Sequence, residues 1–482
     1  MAKKKSLKLN MVLNAIKGLM GIVFPLITFP YVSKVLGVEN IGRYNFANSI
    51  ISYFILLAGL GISTYAIREG ARFRDDREHF SHFASEMFSI NIVSTAISYA
   101  IFFLILIAVE KFQSYKILLV ILSLQVAFQT IGLEWIYAIY ENYAYITIRS
   151  IIFQVISLGL MFAFVKTEND VCIYALITVI SAAGSNILNF FHVRKYCNIG
   201  LTKSIDWKKH LRPIMILFAM SVTVTIYVSS DITILGFLCE DYTVGIYSVS
   251  VKIYSVIKTI LSSVLIVSIP RLSALLGENN KSEFNIVASD IHSTLLTVML
   301  PAITGIIVLK NQIVLLLSDA TYMAATSSLT LLSIAMFFCL GAWFWGQCIL
   351  VPVKQEMTVF TITVISAIVN IILNFMLIPI WKENAAALTT IIAQGISFVW
   401  CWYNGRKYVD VKGTDTILIK VVLGCGSIFI DSIVCKVLFG TGYMFTIMTF
   451  FSSVIVYGGV EIVLKNESVW KILDGIRKKL HI

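Results

Sequence analysis

The sequence predicts an all-α polytopic membrane protein with about fourteen transmembrane helices. Three observations predict it. Hydrophobic residues make up 58% of the 482 positions and charged residues 13%, roughly half the charged share of an ordinary soluble domain. With so few charges, a water-soluble chain could not cover its own surface. The apolar residues are spread along the whole chain in runs of the length a bilayer requires, about 20 residues each. Between the runs, basic residues alternate between plentiful and scarce, as the two sides of a plasma membrane demand.

Taken in order, the runs give spans at about 9–33, 46–67, 84–109, 117–139, 143–165, 171–192, 213–236, 245–269, 291–309, 327–350, 357–380, 385–403, 416–435 and 442–464. The first follows Lys3-Lys4-Lys5 and contains Pro25 and Pro30, with no small-residue cleavage site at its end. It therefore reads as a span rather than a removable signal. The ninth and thirteenth are shorter than most, and Lys420 and Asp431 lie inside the thirteenth. Of the 38 Lys and Arg residues, 25 fall on the side of the N-terminus, 8 on the other side and five within spans. A wrong span count would scramble that bias, so it predicts both termini in the cytoplasm. The net charge of +11 is then topological and does not point to nucleic acid.

Two stretches repeat. Residues 156–196 and 369–408 each read as a span, a short turn (Lys166-Thr167-Glu168-Asn169 and Lys382-Glu383-Asn384) and another span, ending at Arg194-Lys195-Tyr196 and Arg406-Lys407-Tyr408. Leu36-Gly37 with Gly42-Arg43-Tyr44 is echoed by Leu235-Gly236 with Gly245-Ile246-Tyr247. The offset is about six spans, an even number, so the copies enter the membrane in the same direction. This predicts two six-helix lobes related by a pseudo-two-fold along the membrane normal. The lobes are expected at 1–196 and 213–408, joined by a cytoplasmic linker at 197–212. Residues 409–482 would supply two appended helices and a basic cytoplasmic tail. Two lobes around a cleft is the plan of an alternating-access carrier.

An ionisable group at bilayer depth is costly unless it faces water or a partner, so each is a functional candidate. Lys17 lies on a polar stripe with Asn10, Asn14, Gly21, Pro25 and Thr28. Lys252 lies on another, with Ser248, Ser255, Thr259 and Ser262, and Lys258 borders it. Such stripes avoid lipid. They point to cavity-lining cations, the alternative being lysines satisfied by carbonyls of a neighbouring helix. Arg149 is one turn into the fifth span, where it either faces the cavity or reaches the interface. Asp231 sits mid-span near Tyr227, Ser229 and Ser230. An apolar setting disfavours the charged form of a carboxylate, which suits proton exchange. An ion pair with a lysine of the eighth span is the structural alternative. Glu134 lies near the cytoplasmic end of the fourth span and is a second candidate for ion coupling. Lys420, Asp431 and Glu461 are expected to pair with each other or to reach the interface.

Most of these charges are positive, and cations facing a cavity suit an anionic substrate such as a pyrophosphate. Nothing resembles a soluble enzyme site, for there is no Walker A loop, HExxH or GxSxG motif. The cytoplasmic loops 68–83, 193–212 and 270–290 are too short to fold as catalytic domains. None of the eight cysteines forms a CxxC pair, so no metal or other cofactor is expected.

The run Phe24-Pro25-Leu26-Ile27-Thr28-Phe29-Pro30-Tyr31 leads on to Val35-Leu36-Gly37, Gly42-Arg43-Tyr44-Asn45-Phe46-Ala47-Asn48-Ser49 and Leu60-Gly61-Ile62-Ser63-Thr64-Tyr65-Ala66-Ile67-Arg68-Glu69. These segments resemble the signature of Wzx-type polysaccharide flippases, of the multidrug/oligosaccharidyl-lipid/polysaccharide exporter superfamily. Glu134-Trp135-Ile136-Tyr137 with Glu141, and Asp231–Gly236 followed by Val244–Tyr247, extend the resemblance over essentially the whole chain. Ala66 departs from the family's usual glycine.

The resemblance implies a non-enzymatic carrier in the bacterial plasma membrane. It would move undecaprenyl-pyrophosphate-linked oligosaccharide to the outer leaflet for capsule, O-antigen or exopolysaccharide synthesis. An ion gradient, H+ or Na+, would drive it. Membrane lipids, a polysaccharide polymerase and a chain-length regulator would be its partners, and Lys17, Arg149, Lys252 and Lys258 its cationic substrate residues. A drug exporter of the same superfamily would favour acidic cavity residues. A membrane glycosyltransferase or polymerase would carry an outer loop longer than the one at about 310–326. A lipid II flippase shares the cationic cavity and stays open as an alternative.

Overall fold

Each apolar run of the sequence becomes a helix in the computed structural model, which describes residues 7–278 and 280–480. In chain order these are α1 (Leu7–Gly59), α2 (Ile62–Gly70), α3 (Arg77–Ala108), α4 (Lys116–Gly132), α5 (Glu134–Ile139), α6 (Tyr143–Phe164), α7 (Val171–Val179) and α8 (Asn186–His192). They are followed by α9 (Trp207–Leu238), α10 (Asp241–Gly277), α11 (Lys281–Leu317), α12 (Ala325–Trp343), α13 (Glu356–Gly405), α14 (Thr414–Phe439), α15 (Tyr443–Val463) and α16 (Glu467–Leu480). Wider π-type turns join α7 to α8 (Ile180–Gly184) and close α12 (Phe344–Leu350).

Among the described residues, twelve helical stretches are long and apolar enough to cross a bilayer. Two of them, at 18–73 and 356–405, are about twice the length of one crossing. Both are broken midway, α1 at Gly37 (φ 74°) and α13 at Lys382 (φ 49°). Counting each as two crossings gives fourteen. The sequence places open turns at these two points; the chain instead bends at a single residue and resumes its helix. Gly37 is suited to that role because a left-handed φ carries no Cβ penalty there. The ninth span, one of the shorter ones in the sequence reading, is the 37-residue α11. The fourth departs from expectation, because α4 stops at Gly132 and Leu133 (φ 48°) starts the short α5.

The chain divides into two compact units, 1–248 and 249–482. In the first, α1 packs on α3, α4, α6 and α9. Phe80, Met87 and Ile136, all fully buried, centre an apolar cluster that ties α2, α3 and α5 together. Asp76 caps α3, its carboxylate accepting from the N–H groups of Glu78 and His79. Those hydrogen bonds, His79's first, hold its carboxyl below the usual range. The glycines of the sequence echo meet here. A methyl group on Gly42 would overlap the carbonyl of Asp241, and one on Gly245 would overlap that of Val38. The pairs 42/245 and 38/241 share one offset, so the contact is reciprocal, as a two-fold relation generates.

A second signature of duplication lies within each unit separately. In the first, the extended segment after Tyr196 donates N–H groups from Asn198, Gly200 and Thr202 to the hydroxyls of Ser81, Ser85 and Ser89 of α3 (3.0, 3.3 and 2.9 Å). In the second, the segment after Tyr408 donates from Asp410 and Lys412 to Asn285 and Ser289 of α11 (3.4 and 3.1 Å). Two extended residues advance about 6.6 Å and four helical residues about 6 Å. Alternate amides therefore meet every fourth residue of a helix running beside them.

In the second unit α11 packs on α12 and α14, and α14 on α15. The charges of the last two spans form no ion pair with one another among the described residues, and of the two expectations for them Lys420 follows the second, reaching the turn beyond the last span. Asp431 accepts from Ser452 and Ser453 of α15 (2.7 and 2.8 Å), and Lys420 donates to the Lys465 carbonyl (3.0 Å). Glu461 is fully buried and accepts from Asn466 (2.6 Å). Short hydroxyl side chains across the α14–α15 pair thus satisfy Asp431, whereas one carboxylate oxygen of Glu461 is buried without a hydrogen bond. The tail, expected only to be basic, is the amphipathic helix α16, fastened to α11 by the Lys471–Asp290 pair at 2.7 Å.

Candidate functional site

Five of the intramembrane charges, Arg149, Glu134, Asp231, Lys252 and Lys258, fall into three places. The first is built by two interruptions in helices. The α4–α5 break at Leu133 puts Glu134 at the start of α5, and the π-type turn at 180–184 leads into Ser185. Arg149 of α6, only 4% exposed, reaches both: it donates to Glu134 at 2.8 Å and to the Ser185 carbonyl at 3.1 Å. Glu134 keeps a side-chain exposure of 42%. Asn189 of α8 closes the break by donating to the Gly132 carbonyl at 2.6 Å. Beside the pair lies an aromatic slab in which Tyr145 stacks on His192 (4.2 Å) and on Tyr137 (5.2 Å), with Arg149 over the Tyr145 ring. Two sequence candidates from different roles, Arg149 and Glu134, are thus one ion pair here.

Lys17 belongs to α1, and its side chain lies outside the described residues. Its helix is placed by Thr147 of α6, which donates to the Leu13 carbonyl at 3.1 Å one turn before Lys17.

The second place surrounds Asp231 of α9, 9% exposed. Tyr247 donates to its carboxylate at 3.0 Å. The neighbouring turn of α9 joins α1 through Thr233, which donates to Ser49 (2.9 Å) and shares a hydrogen bond with Tyr53 (3.2 Å). The expected hydroxyl neighbourhood is present, but it comes from α1 and α10 rather than from α9 alone.

The third place is α10. Lys252 is partly buried, and no carboxylate of its own unit pairs with it among the described residues. Lys258 lies over the Tyr254 ring at 5.1 Å, a cation–π contact. Along the expected stripe, Ser248 and Ser262 are buried while Thr259 is exposed. Ser250, one face round, donates to α12 at the Ala325 carbonyl (2.8 Å).

Sequence reasoning missed a fourth polar cluster, in which Asn370, Asn374 and Thr389 of α13 are buried and bonded to one another. Its signal was available: two asparagines at helical spacing with a threonine in the facing span, all inside apolar runs.

A family model described as polysaccharide biosynthesis protein matches residues 7–276, more than half the chain. The chain belongs to this family. A second model, lipid II flippase MurJ, matches residues 232–458. Curated relatives include a putative O-antigen transporter of Escherichia coli (strain K12), 22% identical over 81% of this chain and 94% of the relative. Another is the capsular polysaccharide biosynthesis protein CapF of Staphylococcus aureus, 25% identical over 76% and 90%. Among solved structures, lipid II flippase MurJ in an inward closed conformation superposes with a TM-score of 0.73 at 16% identity, covering 96% of this chain and all of that one. An inward-facing MATE family transporter of the MOP superfamily gives 0.53 at 13%, over 83% and 97%. At these identities the likeness is one of fold. The polysaccharide biosynthesis model covers both the Arg149–Glu134 pair and the Asp231–Tyr247 pair, and it reaches Lys252 and Lys258. The polar residues of α13 lie in the MurJ match alone.

Proposed function

We propose that this chain is a flippase that carries undecaprenyl-pyrophosphate-linked oligosaccharide repeat units across the bacterial plasma membrane. On this reading it has no catalytic residue and works by alternating access of two six-helix lobes, 1–196 and 213–408, with both termini in the cytoplasm. The observation that carries the proposal is a lysine without a carboxylate partner among the described residues of its unit, Lys252, on a spanning helix of a polysaccharide-biosynthesis family chain. A pyrophosphate leaving water needs fixed positive charge, and Lys17, Lys252 and Lys258 supply it. Arg149 joins them when Glu134 releases it. Asp231 is the group through which an ion gradient, H+ or Na+, acts. The product feeds a polymerase and its chain-length regulator for capsule, O-antigen or exopolysaccharide.

The test is surface polysaccharide in a strain lacking the native gene. Lys17→Gln and Lys252→Gln should each lose most export at normal protein levels, and Arg replacements, which keep charge but change geometry, should retain part. Asp231→Asn leaves Tyr247 an acceptor and should lose gradient-driven export while keeping the protein folded. Near-normal export from the Lys17→Gln/Lys252→Gln double variant overturns the role of both lysines. A second reading, lipid II flippase, is favoured by the MurJ match and the MurJ-like fold. Rescue of a strain depleted of its lipid II flippase, without rescue of polysaccharide export, would select it.

A further inference from the structure

Within the second unit, the ends of α12 and α13 and the starts of α11 and α14 enclose a cavity of about 770 Å³. Its wall is aromatic, formed by Phe337, Trp345, Phe398 and Trp402, with aliphatic side chains of α11 opposite. Two glycines hold the wall back. A methyl group on Gly341 would strike the Phe398 ring at 2.6 Å, and one on Gly405 the Trp345 ring at 2.6 Å. The rings therefore lie flat against neighbouring helices and leave space in front of them. His292 lines the same space, with Phe344 at 4.9 Å, and its Nδ1 has no hydrogen-bond partner.

The mouth is charged with both signs. Arg406 rests on the Trp402 and Tyr403 rings (4.7 and 4.9 Å), and Lys407 stands beside it. Asp410 and Asp415 line the same mouth. Asp410 has Lys412 at 3.6 Å. No carboxylate pairs with Arg406 and no cation with Asp415 among the described residues. Lys407 is held by Asn404 (3.3 Å), which leaves Arg406 and Asp415 as the lip charges with neither hydrogen bond nor ion pair among the described residues. An apolar well with that lip matches a ligand that has hydrocarbon below and a zwitterion above. Tryptophans at the ends of spanning helices mark the depth of lipid headgroups, so the matching molecule is a membrane component. Anionic lipid would satisfy Arg406 and be repelled by Asp415.

We propose that this cavity is a binding site for a zwitterionic aminophospholipid, its phosphodiester on Arg406, its ammonium on Asp415 and an acyl chain against Trp345 and Phe398. The site lies wholly within one unit and stands whether or not the flippase reading holds. The test is native mass spectrometry of the detergent-purified full chain, titrated with phosphatidylethanolamine or with phosphatidylglycerol of the same acyl chains. The wild type should retain phosphatidylethanolamine about threefold better, the scale of a single exposed charge contact. Asp415→Asn should bring the two lipids level, and Arg406→Gln should weaken both. Both substitutions are on exposed side chains, and an unchanged melting temperature would show that the fold persists. Brominated-chain phosphatidylethanolamine should quench tryptophan fluorescence less in Trp345→Phe than in the wild type. Equal retention of both lipids by the wild type, preference for phosphatidylglycerol, or an unchanged ratio in Asp415→Asn would each overturn the assignment.

Discussion

Arg149 brings a guanidinium into an apolar setting, and its partners determine what its loss would do. Two of its nitrogens are matched by Glu134 and the Ser185 carbonyl, and its Nε is not. Removing the carboxylate strands a buried cation, whereas an amide still offers an acceptor. Glu134→Ala should therefore cost about 1–3 kcal/mol of stability, and Glu134→Gln less. The double variant Glu134→Ala/Arg149→Leu should lose less than the sum of its single changes, because the two share one interaction. Thermal unfolding in detergent reads all of these, and additive losses would show that the pair is not coupled. If Glu134 also couples an ion, Glu134→Gln will depress export more than Glu134→Ala/Arg149→Leu lowers the amount of folded protein, although its own melting temperature falls less than that of Glu134→Ala. The candidacy of Arg149 and Glu134 was legible in the sequence, since charge inside an apolar run is conspicuous. Their pairing was not. It depends on a helix break at Leu133 and a π-type turn at 180–184, neither of which has a periodic signature.

At the scale of elements, hydrophobic run length gave every crossing, because a bilayer imposes one length on all of them. What it could not give was anything held by hydrogen bonds between distant segments. The seam between 198–202 and α3 is such a feature: its serines look like ordinary polar positions until the extended chain is laid beside them. Two of these hydroxyls also donate to helix backbone, Ser81 to the Arg77 carbonyl and Ser89 to the Ser85 carbonyl, both at 2.7 Å. Thr202 is half-buried, so its N–H has poorer access to water than that of Asn198, which is exposed. Ser89→Ala should then cost about 1 kcal/mol, and Ser81→Ala close to nothing. Hydrogen exchange at the Thr202 amide should quicken in Ser89→Ala while Asn198 stays unchanged. Equal protection of Thr202 in both proteins would mean that the seam is held by packing alone.

At the scale of the whole molecule, the fourteen crossings and the charge bias are independent readings that must agree on sidedness. The crossings come from helix length and from the two mid-helix bends at Gly37 and Lys382, and the bias from 25 basic residues against 8. If either bend were a continuation instead of a return, every later loop would change sides and the bias would disappear. The second bend is the stricter test, since α13 could be drawn as one long helix and Lys382 is the residue on which its return depends. Single cysteines placed in a background without the eight native ones can settle it. Lys203→Cys and Lys407→Cys should resist a membrane-impermeant maleimide added to intact cells and react after permeabilisation, because positive-inside loops face the cytoplasm. Glu168→Cys and Lys382→Cys, both exposed, should react from outside. Labelling of Lys407→Cys and Lys382→Cys from the same side would leave α13 a single crossing. It would reduce the count to thirteen and place the C-terminal helices, with their Asp431 and Glu461 networks, in the opposite orientation.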